Sequence, residues 1–338
     1  MAISRPTIRD VARQAGVSHQ TVSRVINGKN DVSPETRTLV ETAISQMGYH
    51  PSAIARSMAR GQTHTLACIS PNLTDYTLAS VIEGAETEAR QHDYFMLSSS
   101  SVDSESFRRL VDELVGHRRV DGLIVINPYS DKRFEHIPED FPVVFVGAQS
   151  HQKDISSVCL DDEKVAYDAT SHLISLGHTN IALVTGPHEE DCSQDRTAGY
   201  RRALKEANIP FNNAKVIEGD WSASSGQNAL LSFVKNGNVP TAVFAQNDRM
   251  AMGVLRAARD VNLKVPSQLA VIGVDDMPLS SYFDPPLTTM RQDMPLIGQE
   301  ATRMLLDIIQ KKNTDLREVK LPAQLVVRQS TSEQGGDL

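Results

Sequence analysis

Motifs for metal binding and redox chemistry are scarce in this chain of 338 residues. Its three cysteines, Cys68, Cys159 and Cys192, are far apart and form no Cys-x-x-Cys pair, which argues against a disulfide framework or a structural zinc site. The ten histidines are scattered, without a His-Glu-x-x-His motif. We therefore expect neither a metal ion nor a cofactor.

Catalytic motifs and long apolar runs are also missing. The sequence has no glycine-rich phosphate loop and no Gly-x-Ser-x-Gly nucleophile elbow, so we expect a protein that is not an enzyme. No apolar run is long enough to cross a bilayer, and residues 1–6 lack the apolar core of a signal peptide. The sequence therefore predicts a cytoplasmic protein that does not contact a membrane.

Positive charge is scarce overall but concentrated near the N-terminus. The chain has 34 Lys and Arg against 42 Asp and Glu, a net charge of −8. Residues 1–60 hold eight of the basic and four of the acidic residues, a net charge of +4, which leaves −12 for the remainder. This asymmetry suits a protein in which a small cationic head contacts phosphate and an anionic body does not.

The basic head has the pattern of two helices joined by a tight turn. Apolar residues recur at helical spacing from Ile8 to Ala15, Gly16 supplies the turn, and Ser18 can cap the second helix. The outer face of that second helix carries hydrogen-bonding side chains long enough to reach base edges or phosphates. An ordinary amphipathic helix pair, the alternative interpretation, would carry Lys and Glu on that face.

A third helix and a short connecting segment complete the head. Ser33, Pro34 and Glu35 form a good helix start, and Gly48 ends the helix. Residues 51–61 contain helix formers but too little apolar surface for independent stability. We interpret them as a hinge that is helical only under some conditions.

These motifs resemble the lactose/galactose repressor (LacI/GalR) family. The matching runs are Thr7-Ile8-Arg9-Asp10-Val11-Ala12, Thr21-Val22-Ser23-Arg24-Val25-Ile26-Asn27-Gly28, Val32-Ser33-Pro34-Glu35-Thr36-Arg37 and Gly48-Tyr49-His50-Pro51. The resemblance implies that the second helix enters the major groove and that His19, Gln20 and Arg24 contact bases. It also implies a hinge helix that folds on the operator and inserts an apolar wedge into the minor groove. Met58 stands where the family has a leucine.

The expected DNA contacts come from the helix starts, the outer face of the second helix and the hinge. They are Thr7, Ser18, His19, Gln20, Thr21, Ser23, Arg24, Asn27, Ser33, Ala55 and Met58.

From residue 65 onward, short apolar runs alternate with longer helical patterns. The runs are 66–69, 122–126, 143–146, 158–160, 181–184, 242–244 and 269–274, and the helical patterns lie at about 77–92, 162–176, 195–207, 222–235 and 247–262. Such runs suit strands that are buried on both faces of parallel sheets, with helices as the crossovers. The predicted fold is therefore a small all-α helix-turn-helix head joined to a doubly wound α/β body.

The resemblance also covers the body and implies two parallel-sheet subdomains of the periplasmic-binding-protein type, with a ligand cleft between them. The expected divisions are the head 1–50, the hinge 51–61, an N-subdomain of 62–160 and 291–320, a C-subdomain of 161–290 and 321–330, and a tail 331–338.

Polar residues that follow the apolar runs are the candidate ligand contacts, because ligands of such sheets bind beyond the carboxyl ends of the strands. A carboxylate, a guanidinium and an amide can bracket vicinal hydroxyls, and the single Trp offers a flat face for a sugar ring or a base. The resemblance assigns effector binding to Arg196, Trp221, Asn247, Asp275, Asp161 and Gln292. Each also has an ordinary structural alternative, because Asp and Asn after strands often cap the next helix.

One departure from the family affects the choice of ligand. Where many members carry an aromatic pair after the first strand of the body, this chain has Asp75 and Thr77. These side chains can hydrogen-bond to ligand hydroxyls, which favours a sugar over a purine, although Asp75 can also cap the following helix.

The combined prediction is a DNA-binding transcriptional repressor controlled by a small effector, preferably a sugar or glycoside. A homodimer that reads a pseudo-palindromic double-stranded DNA operator follows from the type of head, and such a protein is expected on the nucleoid when it is bound. Two alternatives remain open: a sugar-binding transport protein, which the body alone would fit, and a regulator that responds to a purine or nucleoside.

Overall fold

The computed structural model describes residues 6–50, 61–126, 133–147, 155–312 and 315–332. The chain divides into two compact units, Met1–His64 and Thr65–Leu338. The predicted hinge contacts Ala55 and Met58 lie outside the described residues. Within the described part, no helix has the length and apolarity that a membrane span requires.

The first unit is a bundle of three short helices. They are α1 (Ile8–Ala15), α2 (His19–Ile26) and α3 (Pro34–Met47). Gly16 and Gly48 end α1 and α3 with φ of 65° and 57°, a backbone conformation that glycine adopts without steric cost. The helices enclose a small core of Val11, Ala12, Val22, Val25, Val40 and Ala43. The predicted all-α head is therefore confirmed.

The second unit contains two six-stranded sheets covered by helices. The strands are β1 (Thr65–Ser70), β2 (Phe95–Ser100), β3 (Gly122–Ile126), β4 (Val143–Val146), β5 (Ser156–Leu160), β6 (Ile181–Thr185), β7 (Val216–Glu218), β8 (Ala242–Ala245), β9 (Ala270–Asp275), β10 (Thr288–Arg291), β11 (Glu318–Leu321) and β12 (Gln324–Val326). The helices are α4 (Tyr76–Gln91), α5 (Ser104–Val111), α6 (Asp162–Ser175), α7 (Asp191–Glu206), α8 (Ala223–Lys235), α9 (Asp248–Asp260) and α10 (Met294–Ile309).

Each sheet is the centre of one subdomain. The first sheet has the order β11-β5-β4-β3-β1-β2 and is parallel throughout, and the second has the order β12-β10-β9-β8-β6-β7, with only β12 antiparallel to its neighbour. The chain passes between the sheets three times, after β5, after β10 and after β11. These crossings bring the carboxyl ends of β5 and β10 to the boundary between the subdomains, and the predicted pair of doubly wound subdomains is confirmed.

The apolar runs of the sequence did not indicate five strands, namely the four edge strands and the central strand β10, whose sequence Thr288–Arg291 is not continuously apolar. The runs predicted the other central strands, whose residues are almost all buried. β2, β7, β11 and β12 lie at the edges of the two sheets, and none of their residues is buried. Because edge strands face solvent, they have no continuous apolar run to reveal them.

Close packing of α4 against α10 fixes one wall of the boundary region. A Cβ atom on Gly84 would overlap the backbone of Pro295, and one on Gly298 would overlap the backbone of Val81. Glycine at both positions lets the two helix backbones approach one another. The starts of α4 and α10 are thereby held side by side.

An ion pair between a buried carboxylate and a half-exposed guanidinium joins the same two helices. Arg303 on α10 donates to both carboxylate oxygens of Glu88 on α4, at 2.9 and 2.8 Å, and the Glu88 side chain is 4% exposed. Hydrogen bonds from Arg303 lower the pKa of Glu88 below its ordinary value of 4.5. The carboxylate therefore remains ionised inside the helix interface.

We expect Arg303→Met to lower the free energy of unfolding at neutral pH by about 1–3 kcal/mol, because the buried Glu88 carboxylate loses its two guanidinium hydrogen bonds and keeps only the contact with His92 Nε2 at 3.2 Å. Since the folded-state pKa of Glu88 is lowered, the stabilisation is complete above pH 4.5 and is lost as the pH falls through the folded-state pKa. Urea unfolding at neutral and strongly acidic pH measures both effects. Arg256→Met, which breaks an exposed pair with Asp260, is the control; equal losses in the two variants would contradict the account.

Candidate functional site

The predicted DNA-contacting residues at the helix starts serve as helix caps. The side-chain oxygens of Thr7, Ser18 and Ser33 each accept a hydrogen bond from a backbone N–H in the first turn of α1, α2 and α3, at 3.4, 3.1 and 3.3 Å. Thr7 and Asp10 form a reciprocal capping box. The predicted capping role of Ser18 is confirmed, and contact of these residues with DNA stays a prediction.

The exposed face of α2 carries the longest polar side chains of the head. Val22 and Val25 are buried against the other helices, whereas His19, Gln20 and Arg24 are exposed. Arg24 lies 3.5 Å from the Asp31 carboxylate, and both side chains are more than half exposed. Because exposed pairs of this kind are weak, the Arg24 guanidinium can leave Asp31 for a base or phosphate.

The last turn of α2 is braced by its own side chains. Asn27 Nδ2 donates to the Ser23 carbonyl oxygen at 2.8 Å and lies 3.3 Å from the Ser23 hydroxyl. Asn27 Oδ1 is buried and has no partner among the described residues. Thr21, Ser23 and Asn27 are half-buried. Their side chains therefore extend less far from the surface of α2 than those of His19, Gln20 and Arg24.

A cavity of about 350 Å³ lies between the two sheets, within the roughly 300–1,000 Å³ range of small-molecule sites. We call it the cleft. Seven of the eight predicted effector residues line it, namely Asp75, Thr77, Arg196, Trp221, Asn247, Asp275 and Gln292. Polar residues and thiols that the sequence analysis did not assign also line it, among them Asn72, Cys159, Asp162, Glu190, Cys192, Asp220 and Arg249.

Asp161 takes a different place from the one expected. Its side chain accepts a hydrogen bond from Lys164 N at 3.2 Å and caps α6, and it is not among the residues that line the cleft. The next residue, Asp162, is 6% exposed and lines the cleft instead. Both carboxylates follow β5. Of these two adjacent residues, the first caps α6 and the second faces the cleft.

Arg196 is the buried centre of the cleft. It is 6% exposed, and its Nε donates to Asp162 Oδ1 at 2.7 Å while Nη1 donates to the Gln246 carbonyl oxygen at 2.5 Å. Its Nη2 has no hydrogen-bond partner among the described residues, and its guanidinium lies 5.9 Å from the centre of the Trp221 ring. The guanidinium is therefore fixed in position with donors left for a ligand.

Trp221 is held by contacts to its ring and by a hydrogen bond from Asn247 Nδ2 to its carbonyl oxygen. The indole Nε1 donates to Glu190 Oε1 at 3.0 Å, and a Cβ atom on Gly186 would overlap the ring. Burial raises the pKa of Glu190, and the hydrogen bond from Trp221 opposes that rise. The indole thus presents a fixed flat face at the cleft.

Asp275 and Gln292 form the most polar corner of the cleft. Gln292 Nε2 donates to Asp275 Oδ1 at 3.1 Å, whereas Gln292 Oε1 is buried and has no partner among the described residues. Burial, with repulsion from Asp248, raises the pKa of Asp275 well above its ordinary value. A buried acceptor without a donor calls for a partner that the described residues do not supply.

Two further residues that line the cleft also cap helices. Asp75 Oδ1 accepts from Thr77 N at 2.9 Å and from the Thr77 hydroxyl at 2.6 Å, so it caps α4. Asn247 Oδ1 caps α9 through Met250 N at 2.8 Å, and its Nδ2 donates to the Trp221 carbonyl oxygen at 3.1 Å. The capping alternative is therefore confirmed for both, and it does not remove them from the cleft lining.

Some of the charged residues that sequence reasoning missed lie close to residues that it found. Asp162 follows Asp161, and Arg249 lies two residues after Asn247, at the start of α9. Glu190 precedes α7 and had no signal beyond its position after a strand and a Gly-Pro turn. Neighbouring polar residues at a strand end are thus the signal that could have found Asp162 and Arg249 but not Glu190.

Comparison with known proteins covers both units of the chain. Residues 7–52 match the model of the bacterial regulatory proteins, lacI family, and residues 170–331 match the periplasmic binding protein-like domain. Catabolite control protein A of Priestia megaterium is 38% identical over 331 residues, which is 96% of this chain and 99% of that protein. The HTH-type transcriptional repressor PurR of Vibrio vulnificus (strain CMCP6) is 34% identical over 97% of this chain and 99% of its own length.

Solved structures agree with the sequence matches. A lac repressor dimer bound to operator and the anti-inducer ONPF has a TM-score of 0.89 and 33% identity, covering 97% of this chain and 99% of that one. A complex of the transcriptional regulator CelR with cellobiose has a TM-score of 0.76 and 31% identity, covering 96% and 100%. These relatives are regulators rather than enzymes, as the sequence predicted, and the chain belongs to the lacI family of bacterial regulatory proteins.

Proposed function

We propose that this protein is a transcriptional repressor whose affinity for a double-stranded DNA operator is set by a sugar or glycoside bound in the cleft. The observation that carries the proposal is the arrangement of polar groups on one cavity: a fixed guanidinium of Arg196, the Asp275 carboxyl group and the unpartnered Gln292 Oε1. Vicinal hydroxyls both donate and accept hydrogen bonds, so they can satisfy all three groups together.

A sugar suits the cleft better than a purine does. Trp221 is the one aromatic side chain among the described residues that line it, so a flat base would stack on one side only. The opposite wall offers Asp75 and Thr77, which are hydrogen-bonding groups. The structural relative CelR is described in complex with cellobiose, which supports the same class of ligand.

The head supplies the DNA-reading part of the proposal. The exposed polar face of α2 and the net charge of +4 in residues 1–60 are suited to the major groove and its phosphates. The relatives match over both units of the chain, which supports a regulator over a transport protein. We place the repressor in the cytoplasm, on the nucleoid when it is bound to its operator.

A homodimer is supported by apolar side chains on the surface of the body. Phe95 is 78% exposed, and Leu97 and Val102 are also exposed, on and beside the edge strand β2. Tyr282 is 84% exposed, and Leu279 beside it is exposed as well. Patches of this kind mark interaction surfaces, and a second copy of the chain would cover both subdomains and pair two heads for a pseudo-palindromic operator.

We expect Gln20→Ala to weaken binding to the operator by about 1–3 kcal/mol, the value of a lost base contact, and to leave binding to unrelated duplexes nearly unchanged. The operator is first recovered by selection from random duplexes, and affinities are then measured by fluorescence anisotropy. Gln46→Ala makes the same chemical change on the exposed surface of α3 and is expected to have no effect. Full operator discrimination by the Gln20 variant would refute the assignment of α2.

We expect effector affinity to rise with pH through the raised pKa of Asp275. Ligand hydroxyls donate to the ionised carboxylate, so binding favours the ionised form and releases a proton. Calorimetry in buffers of different ionisation enthalpy, with a panel of mono- and disaccharides, measures both the affinity and the proton release. Asp275→Asn should weaken binding and reduce its pH dependence. Asp168→Asn, which removes a surface carboxylate paired with Lys164, should preserve both; an unchanged pH dependence in the Asp275 variant would exclude this residue.

We expect Phe95→Asp and Tyr282→Asp each to raise the dissociation constant of the dimer at least about ten-fold, because a charge would be buried in the interface. Sedimentation equilibrium measures the constant. Leu176→Asp places the same charge at another exposed apolar residue and should leave it unchanged. A monomeric wild-type chain at micromolar concentration would contradict the homodimer.

A further inference from the structure

The charges that line the cleft indicate which ligands it can accept. Two guanidinium groups line it, and each is paired with a carboxylate: Arg196 with Asp162 at 2.7 Å, and Arg249 with Asp75 at 2.5 Å. The four side chains are 7%, 8%, 40% and 11% exposed, in that order. Among the described residues of the cleft, both cationic groups are thus neutralised by the chain itself.

Further acidic groups add to this balance. Glu190, Asp220 and Asp275 also line the cleft. Whether each of them is ionised or protonated, none contributes positive charge. The described lining therefore ranges from neutral to strongly negative, and an anionic ligand group would gain no net attraction there.

The pair of Asp75 and Arg249 has a special position because it joins the two subdomains. Asp75 caps α4, which packs on the first sheet, while Arg249 is the second residue of α9, which packs on the second sheet. One carboxylate oxygen of Asp75 caps the helix, and the other meets Arg249 Nη2. The contact therefore requires that the walls of the cleft remain close together at this point.

Binding next to this ion pair has a different free-energy cost for an anionic group and for a neutral hydroxyl. A phosphate that took the Arg249 guanidinium would leave Oδ2 of the largely buried Asp75 carboxylate without its charged partner, while Oδ1 still caps α4, and breaking such a pair is expensive. A hydroxyl can donate to Asp75 while the ion pair stays intact, because a carboxylate accepts several hydrogen bonds. The pair thus penalises one class of ligand and not the other.

We propose that the Asp75–Arg249 ion pair makes the cleft selective for uncharged sugars over phosphorylated ones by withholding the Arg249 guanidinium from anionic groups. This inference rests on the proposed function, since it names the chemical class of the effector. It assigns to Arg249 a role in specificity that its place at the start of α9 did not indicate.

Asp75→Asn is the informative substitution. It removes the charge that holds Arg249 and retains a side-chain oxygen that can cap α4, because Asn is as good a cap as Asp. The double variant Asp75→Asn/Arg249→Gln then removes the freed guanidinium as well. Asp260→Asn is the matched control, because it frees Arg256 on the same helix α9 outside the cleft lining. Circular dichroism verifies that each full-length variant is folded.

The probes are matched pairs of a sugar and its phosphate: glucose and glucose 6-phosphate, fructose and fructose 6-phosphate, trehalose and trehalose 6-phosphate. Calorimetry gives the ratio of the two affinities in each pair. We expect the wild-type chain to bind the neutral member at least ten-fold more tightly. Asp75→Asn should reduce this ratio at least ten-fold, the double variant should restore it, and Asp260→Asn should leave it unchanged.

Three results would overturn the proposal: tighter binding of the phosphorylated member by the wild-type chain, an unchanged ratio in Asp75→Asn, or a ratio in the double variant equal to that of Asp75→Asn. Failure of every sugar to bind the wild-type chain would instead count against the proposed sugar effector. In that case the role of the Asp75–Arg249 ion pair is tested by measuring the binding of inorganic phosphate and pyrophosphate to the variants. Binding that appears in Asp75→Asn and disappears in the double variant supports it, and no binding in either refutes it.

Discussion

The arrangement of the residues around the cleft depends on one interaction, the pairing of the buried Arg196 guanidinium. A buried charge is tolerated only when it is paired and hydrogen-bonded, and the partners of Arg196 come from separate parts of the chain: Asp162 at the start of α6 and the Gln246 carbonyl oxygen after β8. The Trp221 ring lies beside the same group. The requirement to satisfy Arg196 thus brings three strand ends together, and these ends are where a ligand would meet the protein.

The fold could be predicted from the sequence wherever burial leaves a pattern. Central strands such as β3 and β6 are buried on both faces and read as continuous apolar runs, and the helices between them begin at recognisable caps such as Asn247. The edge strands β2, β7, β11 and β12 contain no buried residue, so burial leaves no continuous apolar run in them. That two sheets form instead of one was implied by the family resemblance and not by periodicity.

The site was predictable in its residue types and less so in its pairings. The family resemblance assigned effector binding to Arg196, Trp221 and Asp275, and these residues line one cavity. A one-residue shift separates Asp161, which caps α6, from Asp162, which pairs with Arg196. Sequence spacing cannot resolve that difference, because both residues follow the same strand. The ion pair across the cleft joins residues 174 positions apart, Asp75 and Arg249, and only the packing of the two subdomains brings them together.

We expect occupancy of the cleft by a ligand and occupancy of the DNA-reading head by operator to be linked. The most direct test measures the operator affinity of the full-length dimer with and without saturating sugar, and the sugar affinity with and without saturating operator. Linkage requires that the two ratios be equal, and coupling of this type is typically about 5–150-fold. Equal ratios well above one are the predicted result, whereas an operator affinity that is indifferent to a ligand bound in the cleft would contradict the account.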